Sequence, residues 1–163
     1  MSNARDLSTT KPLVSGTALA TTSGTTKDFT GIPSWAKRIT VVFSGVSTNG
    51  ANAMLVQVGS GSVQTTGYNS GLWSGTSTNI TATTGFIASI SNSSLGFSGI
   101  MTLTQLSANN WVATCVSSVA TTANIGYQSI GTVSLSGSLD RVRFTTNGST
   151  DTFDAGSVNI LYE

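Results

Sequence analysis

Residues able to act as general acids or bases are few in this chain. It has no histidine, and its six acidic residues are spread along the sequence: Asp6, Asp28, Asp140, Asp151, Asp154 and Glu163. Hydrolysis of a sugar bond needs two carboxyl groups about 5 to 10 Å apart. Asp151 and Asp154 are close in sequence, but both follow the Asn147-Gly148 turn signal, where aspartates commonly cap turns and strands. We therefore predict no catalytic residue.

Asp140 stands next to Arg141 and near Arg143 in a segment with the pattern of a strand. A carboxylate in that setting is typical of an ion pair across a sheet. We expect its partner to be Lys37 or Arg38.

Metal and thiol chemistry have equally little support. Asp151, Thr152 and Asp154 offer oxygen ligands for calcium, but they lack the regular spacing of a dedicated calcium loop. Cys115 is the single cysteine and stands in an apolar alternation, so we expect a buried, inert thiol. No phosphate-binding glycine motif is present, and no cofactor is expected.

The composition excludes further classes of function. The 163 residues carry a formal net charge of +1, so the field that gathers nucleic acid phosphates is missing. No apolar run reaches the roughly 18 residues of a membrane span. No secretory signal pattern is visible, so we expect synthesis in the cytoplasm. Charged residues are only 8%, whereas there are 26 serines, 27 threonines and 18 glycines, and hydroxyls must supply the surface polarity.

The elements that would position these residues are strands. Apolar and polar residues alternate over residues 37–46 and 54–58, and Asn49-Gly50 between them predicts a hairpin. A second hairpin is predicted from residues 98–106 and 111–118. Further strands are expected in five segments: 19–30 (two short strands), 86–90, 130–135, 139–146 and 158–162.

Eight to ten short strands without an amphipathic helix indicate an all-β fold, an antiparallel β-sandwich or jelly roll. Residues 1–16 show no sustained period, and we predict that they form an extended N-terminal arm that orders on a partner. Residues 17–163 are expected to form the single β-sandwich domain.

Aromatic residues occur in segments that read as loops. Tyr68 and Trp73 lie in a stretch dense in Ser, Thr, Gly and Asn, between residues 59 and 85. Loops on a rigid β scaffold often carry binding surfaces, but aromatics there also close the end of a sandwich. From the sequence, Tyr68 and Trp73 can therefore either form a binding surface or close the end of the sandwich.

Two long segments carry a family resemblance. Residues 28–50 read DFTGIPSWAKRITVVFSGVSTNG, and residues 139–163 read LDRVRFTTNGSTDTFDAGSVNILYE. They resemble a module of tailed-bacteriophage virion proteins, often of the tail fibre type. The opening SNARDL, residues 2–7, is similar to the start of many phage tail fibre and adhesin chains, where it attaches the chain to the particle.

The resemblance implies a non-enzymatic virion protein, trimeric if fibre-like, that assembles by arm docking and β-surface packing. In the arm, it implies that Asn3, Arg5 and Leu7 contact other virion proteins. Host recognition, including recognition of a surface glycan, would then use three candidate contact residues: Tyr68, Trp73 and Phe97.

Other interpretations remain open. The chain lacks the heptad stalk and long shaft of a typical fibre, so a capsid decoration protein or a small baseplate component is an alternative. A glycan-binding lectin or a glycan-degrading enzyme is an alternative of another class. A lectin would need an exposed Trp or Tyr platform, and an enzyme would need two carboxylates in one cleft.

Overall fold

The strands alternate as their sequences predict, with one side chain inward and the next outward. In the strand Arg38–Thr48, Ile39, Val41 and Phe43 are buried, whereas Val42 and Ser44 face out. The computed structural model describes residues 12–74, 79–119 and 125–163. Within these ranges the chain forms two antiparallel sheets whose apolar faces pack together, an all-β sandwich.

Fourteen strands are found in the described residues. In chain order they are β1 Val14–Ser15, β2 Leu19–Ala20, β3 Thr26–Thr30, β4 Arg38–Thr48, β5 Met54–Ser60, β6 Ser62–Val63, β7 Asn69–Ser74, β8 Asn79–Ala82, β9 Phe86–Ser89, β10 Phe97–Ser107, β11 Asn110–Val119, β12 Ile125–Ser134, β13 Arg141–Thr146 and β14 Phe153–Tyr162. A short 3-10 turn, Asn147–Ser149, separates the last two strands.

The two sheets differ in size. The large sheet has the strand order β1-β14-β4-β10-β11-β12-β7-β8, with β2 also paired to β14. The small sheet has the order β3-β13-β5-β6, with β9 also paired to β5. Aromatic rings join the sheets in the core, where Phe144 of the small sheet lies 5.4 Å from Phe43 and 5.7 Å from Phe153 of the large sheet, measured between ring centroids.

One predicted hairpin is confirmed and the other is wrong. Strands β10 and β11 pair directly, as predicted, along nearly their whole length. Strands β4 and β5 do not pair, because β4 belongs to the large sheet and β5 to the small one. The segment with Asn49-Gly50 therefore carries the chain across the sandwich. Its fold is fixed by contacts with the 3-10 turn region, since the Asn49 N–H donates to the Thr152 carbonyl at 3.0 Å.

The large sheet includes the last residues of the predicted arm. Val14 and Ser15 pair with Tyr162 and Leu161 of β14, and the Gly16 N–H donates to the Ile160 carbonyl at 2.8 Å. The sheet thus begins at Val14, earlier than the predicted boundary after residue 16.

Candidate functional site

The outer faces of the two sheets differ in charge. On the small sheet, Arg143 binds both carboxylate oxygens of Asp28, each at 2.7 Å. Among the described residues, the charged side chains of the large sheet lie at the ends of β4 and β14, where Arg38 pairs with Glu163 and Asp154 accepts a hydrogen bond from Ser47. The middle of its outer face is therefore uncharged.

A row of side chains crosses this uncharged face at right angles to the strands. We call it the central row, and the strand register orders it as Val42, Ile100, Val116, Gln128, Trp73 and Asn79. Ile100 is 49% exposed, Val116 58% and Trp73 56%. Large apolar side chains next to one another at such exposure are unusual on a monomer and mark contact surfaces.

A second row runs beside the central row. It consists, in register, of Thr40, Thr102, Thr114, Ile130, Gly71 and Thr81. Ile130 is 63% exposed. Gly71 follows Ile130 across the sheet and has no side chain, so the face is hollow between Ile130 and Thr81.

This hollow forms a groove of about 640 Å³, which we call the Trp73 groove. Its outward-facing lining is Gly71, Trp73, Asn79, Thr81, Thr114, Val116, Gln128 and Ile130. A Cβ atom built on Gly71 meets one heavy atom within 4 Å, the Ile80 carbonyl oxygen at 4.0 Å. The space above Gly71 is therefore open.

The polar side chains of the groove are available to a ligand. Gln128 and Asn79 lie directly across from Trp73 on its two neighbouring strands. Within the part of the chain that the structure describes, the side-chain amides of Asn79 and Gln128 make no hydrogen bond. Each amide offers donors and an acceptor.

The acidic side chains that the structure describes have partners elsewhere, and none of them lines the Trp73 groove. Asp140 binds Arg141, with Oδ1 at 2.7 Å from Nε, so the expected pairing with Lys37 or Arg38 is wrong. The adjacent guanidinium lowers the pKa of the Asp140 carboxyl. Arg141 can reach Asp140 although the two are adjacent in sequence, because Asp140 lies just outside strand β13, where side chains need not alternate.

The Asp151 carboxylate also has a structural role, because it is hydrogen-bonded within the fold. It is largely buried and accepts hydrogen bonds from the Asn52 N–H at 2.8 Å and from Asn52 Nδ2 at 2.7 Å. No group of three or more His, Cys, Asp or Glu residues that could hold a metal ion occurs in residues 12–74, 79–119 and 125–163.

Two of the three predicted contact aromatics are core residues, which corrects the prediction. Tyr68 is 3% exposed, and its hydroxyl accepts a hydrogen bond from the Val58 N–H at 2.8 Å and donates to the Gln64 carbonyl at 3.0 Å. Burial raises the pKa of Tyr68 to about 12. Phe97 is fully buried and packs against Tyr127, with ring centroids 6.3 Å apart. Neither side chain is available to a receptor.

Trp73 alone among those three is exposed, and it lies on a strand, not in a loop. The predicted arm residues Asn3, Arg5 and Leu7 lie outside the described residues.

The thiol of Cys115 is buried, as predicted. It donates to the Ala88 carbonyl at 3.3 Å, and burial raises its pKa to about 12. A thiol in that state is a poor nucleophile at neutral pH.

Sequence reasoning missed Gly71, Asn79 and Gln128. Their signal was present only in the pairing of β7, β8 and β12, because each strand alone shows an ordinary polar outward position. The cross-strand register is what brings the three residues around Trp73.

No helix in the described residues is long and apolar enough to cross a membrane.

Comparisons with protein-family models, with curated proteins and with solved structures found no match to this chain.

Proposed function

We propose that this protein is a non-enzymatic structural component of a tailed-bacteriophage virion, of the tail fibre or tail-tip type, which assembles with copies of itself. The resemblance of residues 28–50 and 139–163 to phage virion modules suggests the class of protein. The observation that carries the proposed mechanism is the uncharged outer face of the large sheet, with Ile100, Val116 and Ile130 exposed along it.

An uncharged face favours packing against a copy of itself. Two identical faces with like charges would repel each other, whereas Val, Ile and Thr side chains meet without that cost. Threonine hydroxyls are short, and ordering them costs less entropy than ordering lysine or glutamate side chains. Packing of this face against the same face of a second copy is a twofold contact and closes as a dimer, whereas the trimer that the resemblance implies would place the face of each copy along a threefold axis.

The area of the face is sufficient for a stable contact. Five strands about 4.8 Å apart, each presenting four outward residues about 6.8 Å apart, cover roughly 500 to 600 Å². Two such faces bury roughly 1,000 to 1,200 Å² in total, which is near the lower limit of specific interfaces.

The N-terminal segment adds a second element to the proposed assembly. Leu13 is 62% exposed and, together with Val42, Ile100, Leu161 and Tyr162, borders a groove of about 360 Å³. Leu13 therefore lies at the edge of the same apolar face. We propose that the arm, through Asn3, Arg5 and Leu7, docks on other virion proteins.

The oligomeric state in solution tests the proposed assembly. We expect multi-angle light scattering at micromolar concentration to give an oligomer for the native chain: a dimer if two faces pack together, or a trimer if three copies meet along a threefold axis. Ile100→Asp should give a monomer, because two unpaired carboxylates would be buried at the contact. Thr30→Asp, an exposed position on the small sheet, is the matched control and should leave the oligomer intact. A monomeric native chain would contradict the assembly.

The position of the protein on the particle tests virion membership. Immunogold labelling in electron microscopy should mark the tail or its tip. Labelling of the head would support the capsid decoration alternative. Absence of the protein from purified particles would contradict both forms of the proposal.

A further inference from the structure

We propose that the Trp73 groove binds a neutral saccharide, with the sugar ring stacked on the Trp73 indole. The proposal names a ligand class for one site, and it rests on the proposed function only for the source of the sugar, a glycan of the host surface. The site itself is defined by side chains of β7, β8, β11 and β12.

First, the exposed Trp73 indole offers an aromatic platform for a sugar ring. Trp73 is 56% exposed although it lies in a strand with neighbours on both sides. Its ring is held on a rigid sheet and still presents apolar surface to solvent. Pyranose rings carry one face of C–H groups, and an aromatic side chain binds such a face while the hydroxyls point outward to polar groups.

The second step is the placement of polar groups around the platform. Gln128 and Asn79 are directly opposite Trp73, one on each side, and directly opposed residues have Cβ atoms about 4.5 to 5.5 Å apart. A saccharide hydroxyl both donates and accepts hydrogen bonds, as a side-chain amide does. Thr81 and Thr114, which carry hydroxyl groups, also line the groove. The lining thus combines apolar stacking with neutral polar partners.

The third step is charge, which selects the kind of sugar. The described residues that line the groove include no Lys, Arg, Asp or Glu. An anionic sugar would lose hydration of its carboxylate without gaining a counter-charge. A neutral hexose or N-acetylhexosamine has no such cost. The absence of a carboxylate in the lining also fits binding without hydrolysis, since glycosidases use a pair of them.

The fourth step is the space above Gly71. Because a Cβ atom there would meet only the Ile80 carbonyl oxygen, at 4.0 Å, packing of the sheet does not require glycine. Strands usually disfavour glycine, and a glycine there often marks a close approach by a ligand. Gly71 leaves room for the part of a sugar that extends beyond the indole toward Ile130.

Isothermal titration calorimetry of the native chain tests the proposal. The probes are neutral tetrasaccharides of glucose, galactose and N-acetylglucosamine, with tetragalacturonate as the anionic comparison. We expect saturable binding of at least one neutral probe and none of tetragalacturonate. Trp73→Ala should weaken binding about tenfold or more, because the stacking surface is lost. Gly71→Val should abolish it by filling the groove.

Gly126→Val is the matched control, since Gly126 is exposed on β12 outside the groove and a Cβ atom there meets only the Ser117 carbonyl oxygen, at 4.0 Å. It should bind the probe as the native chain does, and Gly71→Val should melt no lower than the native chain. Failure of all neutral probes at millimolar concentration, with both the native chain and the monomeric Ile100→Asp variant, would overturn the proposal. Equal binding by the native chain, Trp73→Ala and Gly71→Val would also overturn it.

The test is separable from that of assembly. Val116 and Ile130 belong both to the proposed contact between copies and to the groove, so a second copy and a saccharide compete for this part of the face. Saccharide binding by the monomeric Ile100→Asp variant, at least as tight as that of the native chain, would uphold the groove independently of the oligomer. If Trp73→Ala instead changed the oligomeric state while neither the native chain nor Ile100→Asp bound a saccharide, a second copy would be the occupant, and the saccharide proposal would be wrong.

Discussion

The Tyr68 hydroxyl satisfies backbone groups at the end of the sandwich. It accepts from the Val58 N–H and donates to the Gln64 carbonyl, so it links strand β5 to the loop that follows β6. Its ring meets Phe86 edge to face, with centroids 5.0 Å apart. The residue combines aromatic packing with a buried hydrogen-bond partner, which is a structural role.

Removal of this hydroxyl should destabilise the fold without altering the groove. In Tyr68→Phe the ring contact stays, but the buried Val58 N–H loses its partner, which costs about 1 to 3 kcal/mol. Urea unfolding should show that loss in the free energy of unfolding. Saccharide affinity should equal that of the native chain. A fall in affinity at unchanged stability would mean that Tyr68 contacts the ligand after all.

The sequence could not separate Trp73 from Tyr68 and Phe97. All three are aromatics near serine- and glycine-rich segments, and residue type does not reveal which side of a strand faces the core. Trp73 points outward because Leu72 and Ser74, its neighbours in β7, point inward. For Cys115 the same alternation was long and regular enough in β11 to predict burial correctly.

At the scale of elements, the irregular pairing of β4 with β14 depends on a close backbone approach. The register shifts on both sides of Ala155, and Gly156 has φ of +92°. A Cβ atom on Gly156 would lie 2.5 Å from the carbonyl carbon and oxygen of Gly45. Backbone atoms cannot yield as a flexible side chain does, so this position requires glycine.

Gly156→Ala should therefore lower the free energy of unfolding by more than the backbone strain alone would. The strained φ contributes about 1 to 3 kcal/mol, and the clash with Gly45 adds about 1 to 3 kcal/mol of overpacking. Gly24→Ala is the control, because Gly24 also has a positive φ, +72°, but its Cβ would meet nothing within 4 Å. Urea unfolding should show a clearly smaller loss for Gly24→Ala. Equal losses would show that the two strands separate freely at Gly156.

Turn chemistry predicted where the chain reverses but not which sheet it enters next. Asn49-Gly50 predicts a hairpin and Asn147-Gly148 a turn, yet each lies between strands of different sheets. A dipeptide that tolerates positive φ fixes only local geometry. The partner of each strand is set by long-range packing, such as that of Phe144 against Phe43 and Phe153, which no local pattern contains.

At the scale of the whole molecule, the charged side chains in residues 12–74, 79–119 and 125–163 are segregated between the two sheets. The small sheet carries the Asp28–Arg143 pair on its outer face, and the Asp140–Arg141 pair lies beside it. The large sheet presents hydroxyl and apolar groups across its middle. With this division the small sheet can face solvent while the large sheet contacts a partner. Because the contacting face is uncharged, the strength of that contact should depend little on salt.

Self-association through the large sheet should be nearly independent of ionic strength. Salt at 1 M shortens the Debye length to about 3 Å and weakens contacts between charges, but it does not weaken apolar contacts. Sedimentation equilibrium should therefore give dissociation constants within about twofold of each other between roughly 0.1 and 1 M NaCl. Weakening by tenfold or more would instead assign the contact to the charged ends of the face, where Arg38 pairs with Glu163. Arg38→Gln distinguishes the two cases, because it should leave the native dissociation constant unchanged only if the uncharged middle forms the interface.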